Sequence, residues 1–78
     1  MTFYEWTKRI AGKDSPTGDL AYDVQRDADA PTIPNTRDAW CAHIRVMSGY
    51  DPYVMAAFRS AWSSYQAYCK RHPEESQD

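Results

Sequence analysis

Three aspartates, Asp19, Asp23 and Asp27, recur at every fourth position of the stretch SPTGDLAYDVQRD. Two Cys/His pairs, Cys41 with His43 and Cys69 with His72, follow further along the chain. Grouped carboxylates hold divalent cations, and Cys with His holds zinc or forms a nucleophile and its base. The spacing argues against each. Residues four apart share a helical face, but at about 1.5 Å of rise per residue these carboxylates spread over roughly 12 Å and do not converge on one ion. Cys41 and His43, two apart on a helix, point about 200° away from each other, and structural zinc sites use wider, loop-based spacings. A nucleophilic Cys–His pair needs an orienting third group and a cleft. The sequence also lacks a P-loop, a G-x-G-x-x-G, a G-x-S-x-G and an H-E-x-x-H. The expectation is no catalytic residue, no cofactor and no metal, and hence no enzyme.

The same aspartates have ordinary helical roles. Asp19 falls in the first turns, where a negative charge suits the helix dipole. Asp23 can pair with Arg26 at i+3 or with a basic residue of another helix. Asp27 falls near the unfavourable C-terminal end, so it needs a partner or a capping role in the loop that follows. One of Asp19 or Asp23 is expected to be partly buried and hydrogen-bonded. Cys69 is expected at the edge of the core and His72 in solvent. The two cysteines read as free, half-buried thiols of a reducing compartment.

Four segments must position these residues. The first, from Thr2 to Gly12, opens with a T-x-x-E capping box at Thr2 and Glu5, with Met1 and Trp6 at the staple positions. Phe3, Trp6 and Ile10 make its inner face, Gly12 stops it, and Thr7, Lys8, Arg9 and Lys13 are expected outward. The second starts at Ser15–Pro16, a cap followed by a proline at the first helical position. Its narrow apolar stripe is Leu20, Ala21, Val24 and Ala28. It ends before APTIPN, where Pro31 and Pro34 bar regular helix and Ile33 is expected to plug the core. The third starts at Asn35 or Thr36, either of which can cap, with Trp40, Ile44 and Met47 on one face and Gly49 as its stop. The fourth starts at Asp51–Pro52 and carries the strongest periodicity: Val54, Phe58, Ala61, Trp62, Tyr65 and Cys69. Pro73 stops it near Arg71. No segment alternates with period two and no hairpin turn is present. The fold class is therefore all-α: a compact bundle of four or five short helices with the long C-terminal helix as the spine of the core. A single domain over residues 1–72 and a frayed polar tail over residues 73–78 are expected.

The chain has 78 residues, with nine basic and eleven acidic side chains and a net charge of −2. One domain is the ceiling at this length. The candidate core is Phe3, Trp6, Ile10, Leu20, Val24, Trp40, Ile44, Val54, Phe58, Trp62 and Tyr65. No apolar run approaches the roughly 18 residues of a membrane span, and the N-terminus lacks a signal-peptide core. A cytoplasmic monomer is expected. The charge balance lacks the basic excess of a dedicated nucleic-acid binder. Two surface readings follow. Tyr22, Tyr50, Tyr53 and Tyr68, among six tyrosines, suit a protein partner, because aromatics offer large contact area at low entropy cost. Arg37 and Arg45 on the third helix, with Arg59, Lys70 and Arg71 on the fourth, are the alternative: a DNA-binding surface.

The motifs carry a resemblance. TFYEW at 2–6, SPTGDLAYDVQRD at 15–27 and FRSAWSSY at 58–65 resemble the YozE-like small proteins of Gram-positive bacteria. Members typically begin S-F-Y-x-W, continue with P-x-G-D-L-A-x-D-I and R-D, and end F-x-x-A-W-x-x-Y. Those features match Phe3, Tyr4, Trp6, Pro16, Gly18, Asp19, Leu20, Ala21, Asp23, Val24, Arg26, Asp27, Phe58, Ala61, Trp62 and Tyr65, over residues 2 to about 68. The departures are Ala30–Pro31 where the family has an aromatic before the proline, Trp40 in place of an aliphatic, fewer acidic residues on the third helix, and the basic end at Lys70 and Arg71. The resemblance implies a sterile-alpha-motif-like fold and a bacterial or phage source. It implies no established activity, although the helical arrangement has suggested DNA binding for the family. The expected function is that of a non-enzymatic small helical binding module with a protein partner.

Overall fold

Each helix begins where a short polar side chain can satisfy the orphan amides of a first turn. In the computed structural model, which describes residues 1–75, helix α1 spans Phe3–Ile10, α2 Pro16–Arg26, α3 Arg37–Met47 and α4 Pro52–Arg71. The caps are Thr2, Ser15, Thr36 and Asp51, and the side chain of each accepts a backbone N–H from the first turn of its helix. At α1 the capping box closes in both directions: Glu5 N–H donates to Thr2 Oγ1, and Thr2 N–H donates to Glu5 Oε1 at 2.9 Å. The Thr2 backbone bond is the main reason the Glu5 carboxyl is held below its ordinary value. A single 3₁₀ turn, Ala30–Thr32, bridges α2 and α3, and a second, Pro73–Glu75, follows α4. The polar tail thus starts as an ordered turn, and the remainder of that expected tail, residues 76–78, lies outside the described residues.

The four helices close around Phe3, which is fully buried. Its ring lies 4.9 Å from both Trp40 and Trp62, 5.6 Å from Tyr65, 5.8 Å from Trp6 and 5.9 Å from Phe58, centroid to centroid. Edge-on and tilted arrangements dominate, as the ring quadrupole favours. Leu20 and Val24 from α2, Ala30 from the 3₁₀ turn, Ile44 from α3 and Ala57, Phe58 and Ala61 from α4 complete the core. Ile33 and Cys69 pack against its edge as half-buried neighbours. The indole N–H groups of Trp40 and Trp62 are buried and meet no acceptor among the described residues.

Two polar clusters tie the elements together. Phe3 N–H donates to Asn35 Oδ1 at 2.8 Å, Asn35 Nδ2 donates to Tyr65 Oη at 3.1 Å, and Tyr65 Oη donates to the Met1 carbonyl at 2.6 Å. The loop before α3 therefore caps α1 and clamps α4. The second cluster corrects an expectation: Thr7, read as outward, is 1% exposed. It stands one turn after Phe3 on the same face. Its hydroxyl donates to the Tyr4 carbonyl at 2.6 Å and accepts from Gln25 Nε2 at 2.7 Å, while Gln25 also reaches the Tyr4 carbonyl. Thr7→Val keeps the shape and removes the acceptor, so it should cost about 1 kcal/mol. The midpoint of urea unfolding checks this.

Other placements also differ. Ala28 lies beyond the end of α2 and is exposed, because α2 stops at Arg26; Ala30 takes the buried place instead. Met47 is 36% exposed rather than packed with Trp40 and Ile44. Asp19 and Asp23 are both exposed; the partly buried, hydrogen-bonded aspartate is Asp27.

The α1–α2 corner is tight. Gly18 lies in the first turn of α2, where a Cβ would stand 2.2 Å from the Lys13 carbonyl oxygen. That oxygen already accepts the Ser15 N–H at 2.9 Å. The α3–α4 corner is a Schellman turn: Tyr50 N–H donates to the Arg45 carbonyl at 2.9 Å and Gly49 N–H to the Val46 carbonyl at 3.1 Å. Gly49 and Tyr50 are both left-handed there, with φ of 65° and 67°.

Candidate functional site

The α3–α4 corner gathers apolar side chains on the outside of the molecule. Of the five exposed large hydrophobic residues, Tyr22, Val46, Met47, Tyr50 and Tyr53, four lie within residues 46–53. Tyr53 is 87% exposed, because α4 must turn its second residue outward to bring Val54 and Phe58 inward. Tyr50 is 68% exposed and holds a left-handed backbone, which costs a non-glycine residue about 1 kcal/mol or more. An aromatic kept at such a position without being buried contributes little to folding. Strain of this kind is typical of binding surfaces.

Beside this corner runs a groove. One hollow of it, about 490 Å³, is walled by Asp23, Arg26 and Asp27 of the α2 end, Met47 and Ser48 of the α3 end, and Val54 of α4. A second hollow shares Asp23 and Val54 with the first and adds Asp19, Leu20 and Tyr53. A third shares Pro16, Tyr53 and Ala57 with the second and ends at Thr17 and Ser60. The three hollows follow one another through shared lining residues along α2 and α4, and Tyr53 lines the second and third.

Asp27 lines the first hollow. Its Oδ1 accepts the Asp29 N–H at 2.9 Å, and its Oδ2 is bonded to His43 Nε2. The Asp29 amide first, and His43 second, hold the Asp27 carboxyl below the ordinary aspartate value of 3.8. A carboxyl lowered in the folded state contributes stability above its unfolded pKa and loses it as pH falls through the folded one. Asp27→Asn should therefore remove part of the acid sensitivity. The gap in urea midpoint between wild type and variant should be fully open above the ordinary aspartate value and close as pH falls through the lowered one. A gap of constant size across that range would contradict the assignment.

The expected surface residues separate into different regions. Tyr50 and Tyr53 share the α3–α4 corner. Tyr22 lies on α2 with the Arg26 guanidinium 5.4 Å above its ring, so Arg26 turns to the aromatic and forms no ion pair with Asp23. Tyr68 stands apart: fifteen residues after Tyr53 on α4, it is about 22 Å further along the helix. It is half-buried, stacked on His72 at 4.3 Å and covered by Arg9, which lies 5.1 Å from its ring and donates to its hydroxyl. Arg37, Arg45, Arg59, Lys70 and Arg71 are all exposed. Arg37 and Arg45 stand at opposite ends of α3, about 12 Å apart along it, and Arg59 precedes Lys70 and Arg71 by about three turns of α4. Arg45 reaches back to Cys41 Sγ at 3.8 Å. Among the described residues no three His, Cys, Asp or Glu side chains gather in reach of one metal ion.

Val46, Met47 and Val54 escaped the sequence reading of the surface. Val46 carried a usable signal: two positions beyond Ile44, it falls on the opposite side of α3 from the core stripe, where a β-branched aliphatic gains nothing from folding. Met47 and Val54 carried none, since both continue the core periodicity.

No helix among the described residues is long and apolar enough to cross a membrane. The sequence model of the YozE SAM-like fold family matches residues 2–67. No curated protein and no solved structure matches the chain.

Proposed function

Because the chain belongs to the YozE SAM-like fold family, we propose that it is a non-enzymatic helical module that docks a protein partner on the α3–α4 corner and the groove beside it. The observation that carries this reading is the concentration of exposed apolar side chains at Val46, Met47, Tyr50 and Tyr53 around a walled groove. Elsewhere among the described residues, Tyr22 apart, the large apolar side chains are in the core or half-buried against it. Interfaces draw their energy from a few aromatic and aliphatic anchors beside a pocket, and the corner offers that arrangement on rigid elements.

The test separates binding from folding. Tyr50→Gly relieves the left-handed strain, so it should leave stability unchanged or raise it by up to about 1 kcal/mol. Combined with Tyr53→Ser, it should abolish nuclease-resistant capture of a partner from the host lysate. Arg37→Ala with Arg45→Ala should leave that capture intact. Nuclease-resistant capture that survives the tyrosine variant would overturn this docking surface, and capture that vanishes with nuclease or with the arginine variant would overturn the reading in favour of DNA.

A further inference from the structure

The docking groove is not electrically neutral. Its α2 wall presents Asp19, Asp23 and Asp27 in one row, and Asp51 stands at the near end of α4 as its cap. The only basic side chain in the walls of these hollows is Arg26, and it is drawn onto the Tyr22 ring. Asp27 is engaged by the Asp29 amide and His43, but Asp19 and Asp23 are exposed and form no ion pair among the described residues. The opposite wall is apolar, made of Val54, Ala57 and Tyr53. Met47 closes one end of the groove.

We infer that the groove receives a basic segment of the partner protein, with lysine or arginine side chains against Asp19 and Asp23 and one large apolar side chain in the hollow between Met47 and Val54. This rests on the docking reading above and adds the chemistry of the docked segment. Successive aspartates on α2 stand about 6 Å apart along its axis, which is also the spacing of residues four apart on a partner helix. Complementary charge of this kind selects the partner and speeds its encounter, and it weakens as salt rises. An acidic segment would meet the aspartate row directly and is excluded by repulsion.

The probe is a library of random peptides of about 12 residues displayed on phage, the length of a groove-binding helix, panned on the folded full chain at low salt. Enriched peptides should carry net positive charge and a large apolar residue. A synthetic copy of the most enriched one should shift the amide resonances of Asp19, Asp23, Ser48 and Val54. Asp19→Asn with Asp23→Asn, both at exposed positions, should weaken its binding about tenfold at low salt and flatten the salt dependence. Enriched peptides that are neutral or acidic yet shift the same resonances would overturn this inference and leave the docking reading standing. Peptides that map to another face would overturn both.

Discussion

Gly18→Ala should lower the stability of the domain by about 3 kcal/mol, although alanine is the better helix former by roughly 1 kcal/mol. Gly18 has ordinary helical backbone, so the demand is one of space alone. A methyl group there would stand 2.2 Å from the Lys13 carbonyl oxygen and 2.8 Å from its carbon. Backbone atoms cannot swing aside as a flexible side chain would. Moving Lys13 breaks its bond to Ser15 N–H, and Ser15 is the cap of α2. Moving α2 disturbs the Gln25–Thr7 bond to α1. Thermal and urea unfolding would show the loss, and a gain in stability, as helix propensity alone demands, would refute the steric account. Gly49→Ala is the informative contrast. Beyond its two chain neighbours no atom of the described residues lies within 4 Å of its added methyl, and only the left-handed backbone opposes it; the cost should be about 1 kcal/mol.

Phe3→Ala should be more damaging still, at about 3–5 kcal/mol. Five aromatic rings surround Phe3 within 6 Å, drawn from α1, α3 and α4. Emptying that position leaves a cavity lined by rigid rings that cannot collapse into it, which is the condition for a cost near the upper end. A domain of this size holds roughly 4–12 kcal/mol in total, so the variant should lose about a quarter of it or more, and its unfolding midpoint should fall steeply. Phe3→Leu fills most of the space and should recover more than half of the loss. Equal damage from leucine and alanine would mean that ring geometry rather than filled volume holds the core.

The caps were readable because their chemistry is local. Ser15–Pro16 and Asp51–Pro52 each bring cap and first residue within the span of one turn, and both begin helices as expected. Asn35 and Thr36 were equivalent in sequence, since either can cap. Thr36 does so because Asn35 is taken by Phe3 and Tyr65, 32 and 30 residues away. Thr7 was misread for the same reason: its polarity argues for the surface until Gln25 arrives from α2. That Asp27 needed a partner at the end of α2 followed from the helix dipole; that the partner is His43 did not. The groove was illegible because its walls come from three helices, and Met47 and Val54 count as core residues by periodicity while standing at its rim.

All three tryptophans, Trp6, Trp40 and Trp62, are buried, and none lines the groove. The indoles of Trp40 and Trp62, buried and with no acceptor among the described residues, should emit toward the blue in the native state and move to the red when water reaches them. Occupation of the groove by a tryptophan-free peptide should leave that emission in place. Intrinsic fluorescence thus reads folding alone, and a fluorophore carried by the peptide would read docking separately in the same cuvette.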